Sequence, residues 1–214
     1  PPPPKTLFPY TTLFRSPFTR FIAGAADYTI CYYRQDFGRL NADKDSYGVP
    51  RSKSIQTTPA HQLALAAVYY SPLQYMYWYD KPSDSQDEPE LKFFDDVYTT
   101  WDDTKVLQGE VGEFITIARR KGEEWFIGSI TNNEKRVLSV SLDFLPEGKN
   151  YIAEIYTDGD KSVKTRTKVR VSTYRVSNKT KLNFCLKASG GGAVRLVPDD
   201  GNIKSVKNYK QQRL

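Results

Sequence analysis

The stretch PAHQLALAAVYYSPLQ, residues 59–74, decides the fold because it is apolar on nearly every side of a helical projection. We predict a helix that has the Thr58 hydroxyl as its N-cap and Pro59 in its first turn. Residues 63–70 leave no polar face, so the helix is expected to be buried. Pro72 has no amide hydrogen and is expected to end or kink the helix.

The periodicity changes from helical to alternating beyond Trp101. A connector with a short helix over residues 88–96 is expected before this change, and residues 119–124 are assigned to a turn carrying Gly122. The strand count and turn spacing predict a mainly β protein that ends in an antiparallel β-sandwich. Strand-like segments cover residues 100–107, 114–118, 125–131, 136–142, 151–156, 165–174, 181–186 and 193–197.

A run of small apolar residues, 21–26, precedes the helix and ends at Asp27 and Tyr28. Such a run fits the C-terminal end of a parallel barrel strand, where barrel enzymes gather their functional side chains. Asp27 and Tyr28 are therefore candidate substrate-pocket residues; the alternative is that Asp27 caps a turn. The polar residues 32–57 read as a long loop that would cover the mouth of a barrel.

Composition places the chain among globular proteins, with 39% hydrophobic and 26% charged residues in 214. No apolar run approaches the roughly 18 residues that cross a bilayer. Most of the net charge of +6 comes from residues 161–187, which contain lysine and arginine but no acid. Lys168 and Arg170 alternate with valines, which predicts a strand with a solvated basic face. Contact with a polyanion or docking of another subunit or domain remain alternatives.

The residues with reactive side chains form no recognisable catalytic or metal-binding motif. His61, the only histidine, is expected to cap the helix or to hydrogen-bond in the core. Cys31 and Cys185 are expected to be buried free thiols, and one long-range disulfide remains an alternative. The aromatic run over residues 75–79 is interpreted as an interdomain packing seam, or alternatively as a sugar-stacking surface.

Five segments carry a resemblance to a known family: PFTR at 17–20, AGAADYT at 23–29, AHQLA at 60–64, SPLQ at 71–74 and the block 101–120. They resemble glycoside hydrolase family 97, whose members are calcium-dependent, exo-acting α-glucosidases or α-galactosidases. The resemblance implies that residues 17–80 end a (β/α)8 barrel, that 81–100 connect it to a β-sandwich at 101–198, and that 199–214 are a flexible tail. The family frequently has the motif Asp-Tyr-Thr-Pro, and this chain has Ile30 at the position of the proline.

On this resemblance, the chain is expected to be the C-terminal part of an α-glycosidase that acts on oligosaccharides or α-glycosides. The catalytic acid, its partner carboxylate and the calcium ligands would precede residue 17, so neither catalytic nor metal-binding residues are expected here. The resemblance implies a periplasmic or secreted location and no nucleic-acid or membrane partner, and oligomerisation through the β-domain is an open expectation. Residues 1–16 resemble a translated sequencing adapter and are treated as an artefactual leader. No signal peptide is visible.

Two other hypotheses remain open. The chain could be a non-catalytic carbohydrate-binding or oligomerisation module, using the β-domain and the aromatic residues 75–79. It could also bind a polyanion through the basic residues 161–187.

Overall fold

The computed structural model describes residues 16–21, 23–32, 57–78, 88–202 and 205–210. In this part of the chain, helix α1 spans Pro59–Val68 and helix α2 spans Lys92–Asp96, while single 3₁₀ turns cover Ser16–Phe18 and Pro89–Leu91. The strands are β1 (Tyr28–Tyr32), β2 (Gln74–Trp78), β3 (Asp103–Glu110), β4 (Phe114–Lys121), β5 (Glu124–Thr131), β6 (Arg136–Ser141), β7 (Asn150–Asp158), β8 (Val169–Ser177), β9 (Lys181–Leu186) and β10 (Gly191–Pro198).

Eight of these strands form the β-domain. Six make one antiparallel sheet in the order β3-β4-β5-β10-β7-β8, and β6 and β9 make a two-stranded ribbon. The ribbon covers one face of the sheet, where Ile127 and Val194 of the sheet share a core with Leu182 and Phe184 of the ribbon. On β6, Leu138 and Val140 are buried and alternate with the exposed Val137 and Ser139, as a period of two predicts. The mainly β, sandwich-like architecture is therefore confirmed.

Helix α1 covers the opposite face of the six-stranded sheet. All ten of its residues are buried, as the apolar pattern predicted. Leu63 packs in a cluster with Phe126 and Tyr156 of the sheet, and Leu65 packs in another with Ile117. Strand β1 also contacts the helix. The helix thus lies between the β-domain and the strands that flank it in sequence.

Strands β1 and β2 pair in parallel, with Tyr28 opposite Gln74, so the chain forms a β–α–β unit around α1. The predicted helix is confirmed, but it stops at Val68 before reaching Pro72. The segment interpreted as an aromatic packing seam instead supplies β2. This unit is the parallel element that the described residues contain, and they do not confirm a (β/α)8 barrel.

The predicted strand over residues 21–26 is wrong, because β1 begins at Tyr28 and Asp27 lies at its N-terminal end. Gly24 has φ of 136°, and runs of glycine and alanine favour strands poorly because their side chains add little packing. The loop expected over residues 32–57 falls, for residues 33–56, outside the described part of the chain.

Three further boundaries differ from the sequence prediction. Strand β4 continues to Lys121, so Arg119 belongs to a strand and not to a turn. Strand β8 starts at Val169 and not at residue 165. Lys168 has a φ of 57°, a value outside the range of strand residues, so it belongs to the preceding turn. Residues 205–210 do not fray: the Arg175 amide donates to the Lys207 carbonyl at 2.9 Å, and the Tyr209 amide donates to the Arg175 carbonyl at 2.9 Å.

Two glycines of the sheet allow α1 to approach it closely. A Cβ on Gly128 would lie 2.4 Å from the Ala64 carbonyl oxygen, and one on Gly191 would lie 2.6 Å from the His61 Cα. Both distances are to backbone atoms, which cannot rotate away. The glycines therefore fix the helix directly against β5 and β10.

We predict that Gly128→Ala lowers the free energy of unfolding by about 2 to 3 kcal/mol, because the new methyl group forces the helix backbone off the sheet. Gly112→Ala is the matched control: its Cβ meets open space, and only the φ of 80° opposes it, at about 1 kcal/mol. Urea unfolding of both variants measures the difference. Equal losses of unfolding free energy in the two variants would show that the helix backbone does not restrict the space at Gly128.

Candidate functional site

Several of the buried polar side chains in the described part of the chain lie around the two ends of α1. At the first end, the Thr58 hydroxyl accepts the His61 amide hydrogen at 3.2 Å, which confirms the predicted N-cap. The Thr58 amide donates to the Ser189 carbonyl at 3.1 Å. These bonds join the start of the helix to the turn that precedes β10.

His61 lies fully buried in this junction, in keeping with its expected role in capping or the core. Its Nδ1 is 3.1 Å from the Gly190 carbonyl oxygen, and Nδ1 is the donor because a carbonyl oxygen only accepts. Burial lowers the pKa of His61 from 6.5 to about 4, against the opposing effect of its backbone hydrogen bonds. The imidazole is therefore neutral at pH 7 and acts as a structural hydrogen-bonding group.

Asp158 holds the same turn from the other side. Its Oδ2 accepts the backbone amides of Lys187 at 2.9 Å and Gly191 at 3.2 Å. Burial is the largest influence on this carboxyl group and raises its pKa, although the hydrogen bonds partly oppose the shift. Because the Asp158 carboxylate accepts two backbone amides, its role in the structure is to hold the turn in place.

At the far end of α1, Arg119 reaches from β4 to the last turn of the helix. Its Nε donates to the Ala67 carbonyl at 2.6 Å and one terminal nitrogen donates to the Val68 carbonyl at 3.1 Å. The other terminal nitrogen donates to the Thr104 hydroxyl at 2.8 Å. Burial lowers the pKa of Arg119 to about 10, so the side chain remains charged at neutral pH beside the negative end of the helix dipole.

The last four carbonyls of a helix have no partner within it. In α1 all four are bonded, which allows the helix to end inside the protein. Leu65 receives the Tyr69 amide, Ala66 receives the Gln74 side chain, and Ala67 and Val68 receive Arg119.

The role of Arg119 was missed from the sequence. Ile115, Ile117 and Arg119 alternate along β4, and this period of two places all three on the face that covers the helix. The doubled Arg119-Arg120 before Gly122 instead suggested a turn. Reading the alternation through to Arg119 would have indicated a buried arginine, which requires a partner such as a helix terminus.

The structure separates the two predicted pocket residues. Asp27 is exposed, whereas Tyr28 is half-buried and its hydroxyl donates to the Gln62 Oε1 at 3.2 Å. The Tyr28 ring also meets the Tyr69 ring edge-on, with centroids 4.7 Å apart. Tyr28 thus helps to hold β1 on α1, and a substrate-pocket role for Asp27 and Tyr28 stays a prediction.

The adjacent carboxylate pairs are engaged in local contacts. The Asp102 side chain accepts the Gly122 amide at 2.8 Å and pairs with Lys121 at 3.0 Å. Asp96 pairs with Arg195 at 2.7 Å, in a cluster that also includes Glu124 and Glu154. The cluster fastens α2 to the sheet.

The described residues also bear on the predictions about metal binding and the cysteines. No group of three or more histidine, cysteine or acidic residues in the described ranges is placed to hold a metal ion, so calcium stays a prediction. Cys185 is a free thiol but is exposed, which contradicts its predicted burial, because it alternates with the inward-facing Phe184 and Leu186 on β9. The Cys31 side chain lies outside the described residues. Across the described ranges, the helices are too short or too polar to span a membrane.

The β-domain matches a known protein family. Residues 100–197 match the family described as "Glycosyl-hydrolase 97 C-terminal, oligomerisation". A retaining α-galactosidase of Bacteroides thetaiotaomicron is 34% identical over 182 residues, covering 84% of this chain and 26% of that protein. The chain therefore spans about a quarter of this curated relative.

Solved structures agree with this match. A family 97 glycoside hydrolase from Pseudoalteromonas sp. strain K8, in complex with acarbose, superimposes with a TM-score of 0.71 at 33% identity. The match covers 89% of this chain and 29% of that protein. A β-arabinopyranosidase superimposes with a TM-score of 0.54 at 24% identity over 69% of this chain, which supports the fold alone.

We predict that Arg119→Met lowers the free energy of unfolding by about 3 kcal/mol, because two buried helix carbonyls lose a charged donor. Arg120→Met on the neighbouring position is the control, since Arg120 donates to the exposed Gly122 carbonyl and lies 5.9 Å from the centroid of the Trp125 ring, and it should cost under about 1 kcal/mol. Urea unfolding at pH 7 measures both. A loss for Arg119→Met no larger than that for Arg120→Met would contradict the capping role.

We also predict that the protein is less stable at pH 5 than at pH 7, because the unfolded chain protonates His61 near its ordinary pKa of 6.5 while the folded chain does so only near 4. The stability is complete above pH 6.5 and is lost as the pH falls, by about 2 kcal/mol between pH 7 and 5. Asp158, whose pKa is raised, opposes this trend at the acidic end. Comparison with His61→Gln isolates the effect. An imidazole that titrates near 6.5 by NMR in the folded wild type would refute it.

Proposed function

We propose that this chain, whose residues 100–197 are a glycosyl-hydrolase 97 C-terminal domain, forms the C-terminal part of an exo-acting α-glycosidase. The enzyme would hydrolyse terminal α-linked sugars of oligosaccharides or α-glycosides. In this proposal the paired catalytic carboxylates lie in sequence that precedes residue 17. The β–α–β unit completes the catalytic barrel, and the β-domain supports that unit.

The incompleteness of the parallel sheet is the observation that carries the proposal. Parallel sheets are normally covered on both faces and contain more than two strands. In the described part of the chain α1 contacts β1, while Tyr75 and Met76 of β2 and the preceding Leu73 are exposed by 56%, 46% and 49%. Large apolar side chains on a parallel strand are more stable when further strands or helices of the same sheet shield them from water. A barrel wall would provide those elements.

The β-domain would act by positioning and not by chemistry. It holds α1 through Gly128 and through the hydrogen bonds from Arg119. Because β1 and β2 are joined to both ends of the helix in sequence, fixing α1 also fixes where these strands lie. The β-domain would thereby position β1, α1 and β2 relative to the other strands and helices of the barrel.

The orientation of β1 bears on the substrate pocket. Barrel enzymes bind substrate at the C-terminal ends of their strands. For β1 and β2 those ends are at Tyr32 and Trp78, whereas Asp27 and Tyr28 stand at the opposite end of β1. The proposal therefore places substrate near Tyr32 and Trp78, at the end of the strands opposite to the predicted pocket residues Asp27 and Tyr28.

The names of the relatives support the substrate class. One relative is an α-galactosidase, and the solved structure holds acarbose. We extend the class, α-linked glycosides, to the complete enzyme, together with self-association through the β-domain, which the description of the matching family supports. Calcium dependence and a periplasmic or secreted location rest on the resemblance alone.

We predict that the purified chain releases no nitrophenol from nitrophenyl α-glucoside or α-galactoside, whereas a protein extended by the coding sequence upstream of residue 17 hydrolyses one of them. The β-anomer is the substrate control, and light scattering on the same samples measures self-association. In the extended protein, Arg119→Met should lower the melting temperature, because the end of the buried helix loses its charged donor. Turnover by the purified chain, or upstream sequence without barrel strands, would overturn the proposal.

A further inference from the structure

A cleft lies in the β-domain, on the face of the sheet opposite α1. The ribbon of β6 and β9 is narrower than the six-stranded sheet, so it covers Val176 of β8 but leaves residues 170–172, 174 and 175 to line the cleft. The space between this face and β9 has a volume of about 1160 Å³. This is at or above the usual size of small-ligand sites, which suits an oligomeric ligand.

The C-terminal residues 205–210 form one wall of the cleft. They follow β8 through an isolated bridge between Asn208 and Arg175, and the Tyr209 ring meets the Tyr174 ring edge-on at 5.4 Å. The Tyr209 hydroxyl also accepts the Asn183 amide of β9 at 3.0 Å. The wall therefore spans from β8 to β9.

The charges that line this cleft are mostly positive, with five cations against Asp158 and Asp160. Both carboxylates are engaged: Asp158 binds backbone amides, and Asp160 pairs with Arg170 at 2.8 Å. Arg175 pairs with Asp199. The described ion pairs do not include the three remaining cations, which are Lys187, Lys207 and Lys210.

The other lining groups are suited to hydroxyl-rich ligands. Thr157, Ser172 and Tyr174 bring hydroxyl groups into the same space as the lysines. A peptide strand fits less well, because both main-chain groups of Arg175 are bonded to the C-terminal segment and the Asn183 amide is bonded to Tyr209. Strand addition requires free main-chain groups at a sheet edge.

We propose that this cleft binds an acidic oligosaccharide, with its carboxylate or sulfate groups on Lys187, Lys207 and Lys210 and its hydroxyl groups on the polar floor. The site is separate from the proposed hydrolytic site, and its binding does not require hydrolysis. Of the basic residues 161–187, only Arg170, Arg175 and Lys187 line this cleft, and the others lie outside it.

The test uses the full chain and titration calorimetry with a tetramer of galacturonic acid and, in parallel, with maltotetraose. The acidic tetramer should bind and the neutral one should bind at least about tenfold more weakly, with affinity for the acid falling as salt rises. The triple variant Lys187→Gln, Lys207→Gln, Lys210→Gln should bind the acid about tenfold more weakly, since three surface ion pairs are lost.

The matched control is Lys161→Gln, Lys164→Gln, Lys179→Gln, which removes the same charge from exposed positions of the basic segment outside the cleft. It should bind like the wild type, and circular dichroism verifies that both variants fold. Equal losses in the two triple variants would mean diffuse attraction and overturn the proposal. So would equal binding of maltotetraose, tighter binding of a single-stranded oligonucleotide of equal charge, or a wild-type dimer that only the cleft variant dissociates.

Discussion

The close contact between α1 and the glycines of β5 and β10 is the constraint on which the rest of the structure depends. A helix that is apolar on all sides cannot face water, so it requires a covering layer on every side. Gly128 and Gly191 let the sheet approach the helix backbone itself, and β1 covers part of the remaining surface. The β-domain and the β–α–β unit therefore share this helix, and neither could bury its apolar surface if they were separated.

Burying a helix completely also creates a polar problem at its two ends, where backbone groups lack partners. The β-domain supplies part of the solution at both. At the N-terminal end, the turn before β10 accepts hydrogen bonds from Thr58 and His61; at the C-terminal end, Arg119 donates to the final carbonyls. A neutral histidine and an arginine that bonds to neutral groups are both costly to bury, and each is retained because it completes a helix terminus. The polar contacts thus fix the helix along its axis, while the glycines fix its distance from the sheet.

Much of this fold could be predicted from local patterns. The N-cap at Thr58, the buried helix and the alternation of β6 each depend on residues within a few positions of one another. Strand β2 could not be predicted, because Tyr75, Tyr77 and Trp78 look like an aromatic cluster until a parallel partner 46 positions earlier is known. The alternation of β4 could have indicated that Arg119 is buried, but its partners, Ala67 and Val68, lie about fifty residues away and could not be named from the sequence. Tyr209 shows the same limit in the C-terminal segment, where a polar sequence pairs with β8 through contacts that no local pattern contains.

The six-stranded sheet divides the molecule into two sides with different chemistry. On the α1 side, the polar side chains at the ends of the helix bond to backbone and hold the β–α–β unit, which leaves little room for an exchanging ligand. On the ribbon side, Lys187, Lys207 and Lys210 face an open cleft in which the neighbouring arginines are already paired. Close-packed interiors transmit strain but offer no passage. A ligand in the cleft therefore cannot reach the strand ends at Tyr32 and Trp78 through the sheet, and it would act on a barrel enzyme by retaining a charged glycan nearby without altering the chemistry of bond cleavage.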